Sequence, residues 1–303
     1  MSDNAQQGTG PTIVLAGATG DLGGRIARAL GRRGVTVRAL VRLGTPTGVL
    51  AALNATGAIE VDFGDAAALA AACRGADCVV SALNGLEPTI LGAQGQLLDA
   101  AIAAGVPRFI PSDFSLDFTR TRPGDNRNMD LRRTFMARLD RSAIRASSVL
   151  NGAFADLLTG EAPIVLHKFH RILFWGDADQ PFDFTTKDDV ADYAADVALD
   201  VDAPRFLRIA GDVVSARDLA IIMTRLTGVR YKLLRAGGIG RLSTVIAVAR
   251  ALTPKSDAPF PVWQGMQYLR DMASGRGKLA PLDNGRYGKS DWTRAEDVLA
   301  AAQ

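Results

Sequence analysis

The sequence predicts an α/β fold, a Rossmann-type doubly wound parallel sheet with a smaller, partly discontinuous C-terminal substrate region. Apolar, β-rich segments alternate with helical segments over roughly the first 230 residues, which is typical of a parallel sheet covered by helices. Near the N-terminus an apolar run, 12–16, opens directly into the glycine-rich stretch 17–24 and then into a helix. Beyond about Tyr231, glycines, prolines and aromatic residues interrupt this pattern.

Each element is assigned by its own pattern. Short runs rich in Val, Ile and Leu between turn residues predict buried strands, and longer alanine-rich or amphipathic segments predict helices. Ser215 directly precedes one such segment and is expected to cap its N-terminus. The predicted strands are 12–16, 35–41, 58–62, 78–81, 108–110, 147–150 and 206–209, and the predicted helices are 22–30, 46–54, 66–73, an alanine-rich segment ending near 104, 129–141, 215–227, 242–252 and 264–273.

This order of elements predicts two structural regions. Residues 11–155 and 188–229 carry the alternating pattern and the glycine-rich stretch that opens a helix after the first strand. This combination is typical of an NAD(P)-binding domain, to which these residues are assigned. Residues 156–187 and 230–303, the middle insertion and the C-terminal part, are assigned to a substrate-binding region. Residues 1–10 are polar and contain glycine, so they are expected to form a disordered lead-in.

Composition excludes several classes of protein. A chain of 303 residues with a net charge of +3 is long enough for a buried core and too nearly neutral to indicate a nucleic-acid or anionic-membrane partner. There is no run of about 18 apolar residues and no basic-then-apolar leader, so we expect neither a membrane span nor a secretion signal. Cys73 and Cys78, the only cysteines, are too few for a disulfide scaffold or a metal site. These features predict a cytoplasmic protein without a metal.

The glycine-rich stretch has the design of a dinucleotide pyrophosphate site. Gly17 would let the chain turn sharply off the strand, Gly20 would let the backbone approach phosphate, and Gly23 would let the helix pack closely on the strand. The helix then directs its free N–H groups at the anion. The alternative is a plain turn between a strand and a helix. The predicted pyrophosphate contacts are Gly17, Thr19, Gly20, Asp21, Leu22 and Gly23.

The end of the second predicted strand indicates which dinucleotide binds. In this fold that strand end lies beside the adenosine ribose, where an acidic residue suits NAD and an arginine suits the 2′-phosphate of NADP. The strand ends in Arg42, and no Asp or Glu occurs between Val35 and Asn54. The alternative is that Arg42 is a solvated loop residue. We therefore predict NADP(H) as the cofactor.

Three further strand ends carry groups that could line the cofactor crevice, because the carboxyl ends of parallel strands meet at one edge. Polar residues at such positions are also ordinary turn chemistry, so their joint occurrence carries the prediction. The third strand would offer an acceptor and an apolar face to adenine, the fourth would let the ribose or diphosphate pass, and the fifth would lie near the nicotinamide. The residues are Asp62 and Phe63, then Ser81, Ala82 and Leu83, and then Ser112 and Asp113.

Together these segments resemble the NmrA-like and isoflavone-reductase-like branch of the atypical short-chain dehydrogenases. The resemblance rests on Gly17-Ala18-Thr19-Gly20-Asp21-Leu22-Gly23, on Arg42, on Val61-Asp62-Phe63-Gly64-Asp65, and most specifically on Arg108-Phe109-Ile110-Pro111-Ser112-Asp113-Phe114. It continues through Ile209-Ala210-Gly211-Asp212 and the segment after Ser215. The resemblance implies NADP(H) binding and a substrate cleft capped by the C-terminal region, and it leaves the reaction open.

The usual proton donor of short-chain dehydrogenases is missing. No tyrosine of the chain is followed by lysine in a Tyr-x-x-x-Lys spacing. The resembling reductases place a lysine on the helix before the sixth strand, and the matching position here is Arg132. An arginine can hold a phosphate, a carboxylate or an enolate oxygen, but it does not cycle a proton, since its pKa exceeds about 12. Arg132 is therefore predicted to contact cofactor and substrate.

Other groups could supply acid catalysis. Asp113, next to Ser112, would need a raised pKa to act as an acid. His170, with His167, lies in the middle insertion, where a histidine facing the cleft could transfer protons, although a strand with solvent-facing residues is the simpler interpretation. Trp263, Met266 and Tyr268 are candidates for pocket walls or for the core of the smaller region. The predicted catalytic residues are Arg132, Asp113, Ser112 and His170.

Two functions stay open at this point. The first is an NADPH-dependent reductase of a small aromatic or conjugated carbonyl or enone-like compound, with Arg132 and Asp113 at the substrate. The second, suggested by the NmrA side of the resemblance, is a non-catalytic NADP(H)-binding redox sensor that reports to a protein partner. A C-terminal region rich in aromatic residues favours the enzyme.

Overall fold

A six-stranded parallel sheet forms the centre of the molecule in the computed structural model, which describes residues 10–53, 57–253 and 258–303. The order across the sheet is β3-β2-β1-β4-β5-β6. The strand order reverses between β1 and β4, and in open α/β sheets this reversal opens the crevice that binds ligands. The strands are β1 (Thr12–Ala16), β2 (Thr36–Arg42), β3 (Gly57–Val61), β4 (Cys78–Ser81), β5 (Arg108–Ile110) and β6 (Arg145–Ala146).

Helices cover both faces of this sheet, which confirms the doubly wound architecture. Successive strand residues alternate between the faces, so Leu15 is buried in one core and Val14 in the other. The first core is covered by α1 (Asp21–Arg32), α2 (Thr47–Ala52) and α6 (Lys187–Leu199), and the second by α3 (Ala66–Cys73), α4 (Gln94–Ala103) and α5 (Arg127–Leu139). The predicted helix 46–54 is thus shorter at both ends, and Asn54, like residues 1–9 of the predicted lead-in, lies outside the described residues.

The predicted strand 147–150 is divided between two sheets. The Ser147 N–H donates to the Phe109 carbonyl at 3.1 Å, whereas the Ser148 N–H donates to the Arg205 carbonyl at 2.8 Å. The chain therefore leaves the large sheet at this point and continues as β7 (Ser148–Leu150), which pairs in parallel with β12 (Phe206–Arg208). The sequence pattern could not show this exchange, because both parts are extended and the exchange falls between two identical residues, Ser147 and Ser148.

The remaining elements form a smaller region beside the carboxyl edge of the large sheet. Two three-stranded sheets have the orders β14-β10-β9 and β13-β11-β8. Ser215 caps α7 with a capping box to Asp218, as predicted. No helix within the described ranges is long and apolar enough to cross a membrane. The elements are β8 (Ala153–Phe154), β9 (Val165–Leu166), β10 (Arg171–Trp175), β11 (Phe182–Thr185), β13 (Asp212–Val214), β14 (Lys232–Gly237), α7 (Ala216–Thr227), α8 (Ile239–Leu252), α9 (Val262–Ala273) and α10 (Ala295–Ala301).

The segment 283–292, near the C-terminus, returns to the nucleotide-binding side. The Tyr193 hydroxyl of α6 donates to the Asp283 carbonyl at 2.9 Å. The rings of Tyr287 and Trp292 pack on Tyr193 with centroid distances of 5.0 and 5.9 Å. The Ala210 N–H and carbonyl both pair with the Asn284 amide. Residues 283–292 were assigned to the substrate-binding region, and they make these contacts with the first core. The division of the chain at residue 230 stays a prediction.

Candidate cofactor and substrate site

The glycine-rich turn connects β1 to α1 and packs against the residues that follow β4, at the reversal of strand order. Gly17 has φ +86°, in the left-handed region that favours glycine. A Cβ added there would lie 2.6 Å from the Ala82 carbonyl oxygen, so a side chain would separate the two strand ends. The structure thus brings Gly17 together with Ala82 and Leu83, which were predicted independently as crevice residues.

Gly23 and Gly20 have different neighbours. A Cβ on Gly23 would lie 2.1 Å from the Gly17 carbonyl oxygen, which is impossible without a backbone shift. A Cβ on Gly20 would meet only that same oxygen, at 3.3 Å, and the backbone of Gly20 is in an extended conformation that any residue adopts. The fold itself therefore requires glycine at position 23, whereas position 20 presents backbone that a ligand could approach.

The first turn of α1 has free N–H groups. Gly20 is its N-cap and supplies no side-chain hydrogen bond, so the first N–H groups of the helix stay available to an anion. Thr19 and Asp21 are exposed, and Leu22 packs partly against the first core. The Asp21 carboxylate is paired with Arg25 at 2.7 Å and Lys187 at 2.9 Å, which lowers its pKa. The glycine-rich turn and the free N–H groups of the first turn of α1 together fit a dinucleotide pyrophosphate.

The ends of β2 and β3 lie side by side, since Arg42 pairs in register with Val61. The Arg42 side chain is exposed, and within the described residues its guanidinium makes no hydrogen bond or ion pair. Glu60 was missed by the sequence analysis, because its approach to this loop depends on the strand register. Its Oε2 accepts from the Gly44 N–H at 3.1 Å rather than from Arg42.

Asp62, Phe63 and Ser81 occupy the adjoining strand ends. The Asp62 carboxylate accepts from the Gly64 N–H at 2.8 Å, which is ordinary turn chemistry. Phe63 is half-buried against the second core. Ser81 is fully buried, and its hydroxyl has no hydrogen-bond partner within the described part of the chain. An orphaned buried hydroxyl beside the turn is a group that a bound ligand could satisfy.

Arg132 and Ser112 meet at the end of β5. The Arg132 Nε donates to the Ser112 carbonyl at 3.1 Å, and its Nη1 donates to the Asn128 carbonyl at 3.3 Å. The Ser112 N–H in turn donates to the Gln94 Oε1 at 2.9 Å. Arg132 is 7% exposed, and no acidic side chain within the described ranges forms an ion pair with it. The guanidinium is therefore fixed at the carboxyl edge without a direct ion pair, and its Nη2 makes no hydrogen bond within the described residues.

Asp113 is turned into the protein instead of towards the crevice. It is 1% exposed, and its Oδ2 accepts from the Ser148 hydroxyl at 2.7 Å. Arg205 donates to the same hydroxyl at 2.7 Å. Burial raises the pKa of the Asp113 carboxyl, opposed by Ser148 and by the charge of Arg132. The two predicted catalytic residues, Asp113 and Arg132, thus interact electrostatically, and Asp113 is the more deeply buried of the two. Its Oδ1 has no partner within the described chain.

The other candidates lie elsewhere. His170 is exposed on the turn before β10 and has φ +47°. Its ring centroid lies 5.4 Å from that of Tyr231. No described contact joins His170 to Arg132 or Asp113. Trp263 is buried. Its ring centroid lies 4.7 Å from the Arg127 guanidinium carbon and 5.5 Å from that of Arg250. No group of His, Cys, Asp and Glu side chains within the described ranges could hold a metal ion.

Comparisons with known proteins show the class to which this fold belongs. A superposition on AtPrR2 solved with NADP+ and (+)-pinoresinol has a TM-score of 0.82 at 21% identity, covering 98% of this chain and 100% of that one. The model of the NmrA-like family matches residues 9–236. The chain therefore belongs to the NmrA-like family.

Curated relatives are plant reductases. An isoflavone reductase homologue, IRL, of Zea mays is 37% identical over 117 residues, which span 36% of this chain and 37% of that protein. Pinoresinol reductase 1 of Arabidopsis thaliana is 28% identical over 71% of this chain and 74% of its own length. These findings confirm the predicted family and fold, and they support an oxidoreductase that uses NADP(H). The roles assigned to individual site residues stay predictions.

Proposed function

We propose that this protein is an NADPH-dependent reductase of a small aromatic or conjugated carbonyl or enone-like compound. Support comes from the reductase relatives and from the glycine-rich turn with its open backbone at Gly20. It also comes from Arg42 at the end of β2, whose guanidinium makes no ion pair within the described residues. Bound NADPH would supply the hydride, and the protein would supply orientation and electrostatics.

The observation that carries this proposal is the fixed guanidinium of Arg132. Hydride addition to a carbonyl carbon, or to the far carbon of an enone, moves the π electron pair onto the substrate oxygen. A preorganised cation beside that oxygen stabilises the developing negative charge. Two of the Arg132 nitrogens are already anchored to backbone carbonyls, so the side chain would lose little freedom on binding. Water then supplies the proton, since arginine keeps its own.

Asp113 has a positioning role in this proposal. Its carboxyl is buried behind Arg132 and fastened to Ser148, so it would act on a substrate through the guanidinium. Ser112 contributes its carbonyl oxygen, which anchors Arg132, and Gln94 fixes the Ser112 peptide in turn. The predicted direct contact between Asp113 and substrate is therefore replaced by an indirect one.

The test compares Arg132→Ala and Arg132→Lys with Arg138→Ala. Arg138 lies on the same helix but pairs with Asp99 at the surface, so it controls for loss of charge on α5. NADPH oxidation is followed with aromatic ketones, enones and quinones. We expect Arg132→Ala to lower kcat by about 100-fold, the usual effect of removing one oxyanion contact, and Arg138→Ala to change it less than about twofold.

The pH profile of the reaction shows whether the residue at position 132 only stabilises charge or also transfers a proton. An active Arg132→Lys variant should gain a basic limb in its pH profile that the unmodified protein lacks, because a lysine can release its proton during the reaction. Tight NADPH binding without turnover of any compound in the panel would contradict the reductase. That result would favour a non-catalytic NADP(H)-binding redox sensor, and a search for a protein partner would follow.

A further inference from the structure

A cavity lies on the outer side of the glycine-rich turn, between α1 and α2. Its volume is about 220 Å³, far above the roughly 10–15 Å³ that one water needs. Thr19 and Gly20 form one wall, Arg28 another, and Val49 of α2 a third. Because α2 directly follows β2, the cavity opens on the side of the crevice where the adenosine ribose lies in this fold.

Arg28 differs from the other arginines of α1 and its C-cap. Four arginines occur between residues 21 and 33. Arg25 pairs with Asp21 and Asp188, Arg32 pairs with Asp192, and Arg33 pairs with Asp196. Arg28 is exposed and makes no hydrogen bond or ion pair within the described ranges. It is a cation to which the part of the chain that the structure describes supplies no partner.

The Arg28 side chain reaches back along the helix towards the turn. Its Nη1 lies 3.6 Å from the point where a Cβ of Gly24 would stand. Gly20, Gly24 and Arg28 follow one another at intervals of four residues, so they share one helix face. Since Gly24 has no side chain, the guanidinium lies over bare backbone in the cavity. Asp21, the acid beside it, is already engaged by Arg25 and Lys187.

We propose that Arg28 is a second recognition residue for the 2′-phosphate of NADP(H), binding it in this cavity from the α1 side while Arg42 binds it from the end of β2. The assignment rests on the proposed function. A phosphate monoester carries about two negative charges and accepts the forked donors of arginine. Two arginines that have no partner within the described residues would therefore both contribute if they flank it. The cofactor then supplies the partner that Arg28 lacks.

The experiment uses calorimetric titration of the full chain with four ligands: NADPH, NADH, adenosine 2′,5′-bisphosphate and AMP. Arg28→Ala should weaken NADPH and the bisphosphate by about tenfold, typical of losing one charge-assisted hydrogen bond, and leave NADH and AMP within about twofold. Arg28→Lys should recover part of the loss. Arg32→Ala removes the same charge from the same helix outside the cavity, so it should leave all four affinities within about twofold.

The outcomes separate the two proposals. Equal weakening of NADPH and NADH in Arg28→Ala, or an undiminished preference for NADPH, would overturn the assignment of Arg28 while leaving the reductase intact. An Arg32→Ala effect as large as that of Arg28→Ala would overturn it as well, because it would mean that only long-range charge matters. An unmodified protein that binds neither NADPH nor the bisphosphate would refute the proposed function and this assignment together.

Discussion

A glycine-to-alanine substitution should weaken cofactor binding at Gly20 of the turn but lower the stability of the fold at Gly23. In Gly20→Ala the new Cβ would meet the Gly17 carbonyl oxygen at 3.3 Å, which a small shift relieves, and the backbone conformation suits alanine. We expect the free energy of unfolding to change by less than about 1 kcal/mol. NADPH affinity should fall at least tenfold, because the methyl group would occupy the surface that the pyrophosphate approaches. The larger Gly20→Val should abolish binding while the protein still folds.

In Gly23→Ala the Cβ would lie 2.1 Å from that same oxygen, and the obstacle is backbone instead of a movable side chain. Overpacking of this kind costs about 1–3 kcal/mol and more where nothing yields, so the melting temperature should fall by at least several degrees. Gly31→Ala is the matched control, since it lies on the same helix with no atom within 4 Å of its Cβ. It should stabilise the protein by about 0.5–1 kcal/mol.

Thermal unfolding without ligand and calorimetric titration with NADPH measure the two effects separately. The reasoning fails if Gly20→Ala binds NADPH as tightly as the unmodified protein. It also fails if Gly23→Ala melts at the same temperature as the Gly31→Ala control. Either result would mean that the anion does not approach this turn, or that the contact between α1 and β1 is looser than described.

Three further outcomes follow from the same geometry. Arg42→Ala should remove most of an at least tenfold preference for NADPH over NADH, measured by titration, and equal affinities in the unmodified protein would contradict the role of Arg42. Burial raises the pKa of Cys73 to about 11 and that of Cys78 to about 12, so neither thiol should react with a disulfide reagent near neutral pH until the protein unfolds, and rapid labelling of native protein would argue against their burial. Because burial raises the pKa of Asp113 above its usual 3.8, the folded state binds more protons than the unfolded state just above that pH. The free energy of unfolding, measured with urea, should therefore fall as the pH rises through this window, and it should fall less in Asp113→Asn. Parallel pH dependences of the free energy of unfolding in the two proteins would refute this.

Local signals were enough to predict most of the large sheet. The helix Ala66–Cys73 and the strands Cys78–Ser81 and Arg108–Ile110 have the predicted bounds, because turn residues flank each of them and Asp65 caps the helix. The glycine-rich turn could be placed for the same reason. Its three key glycines, a strand and a helix start all lie within a few residues of one another.

The surroundings of Arg132 could not be predicted. The Ser112 peptide is held by Gln94, 18 residues earlier, and the hydroxyl that binds Asp113 is held by Arg205, 57 residues after Ser148. Such contacts depend on how helices and strands are laid side by side, and no spacing in the chain encodes them. The direction of the Asp113 side chain was missed for this reason. A polar residue at a strand end can face the crevice or the neighbouring strand.

The return of residues 283–292 onto α6 also governs the order in which the chain can fold during synthesis. Translation at about 5–20 residues per second delivers Asp283 on the order of 15–60 s after the first strand has emerged. Until then the Tyr193 hydroxyl lacks its acceptor, and the aromatic edge around it faces water or a chaperone. A nascent nucleotide-binding core is therefore incomplete through most of its synthesis. Truncated chains that end before this segment should be degraded or aggregate, even though they contain every strand of the large sheet.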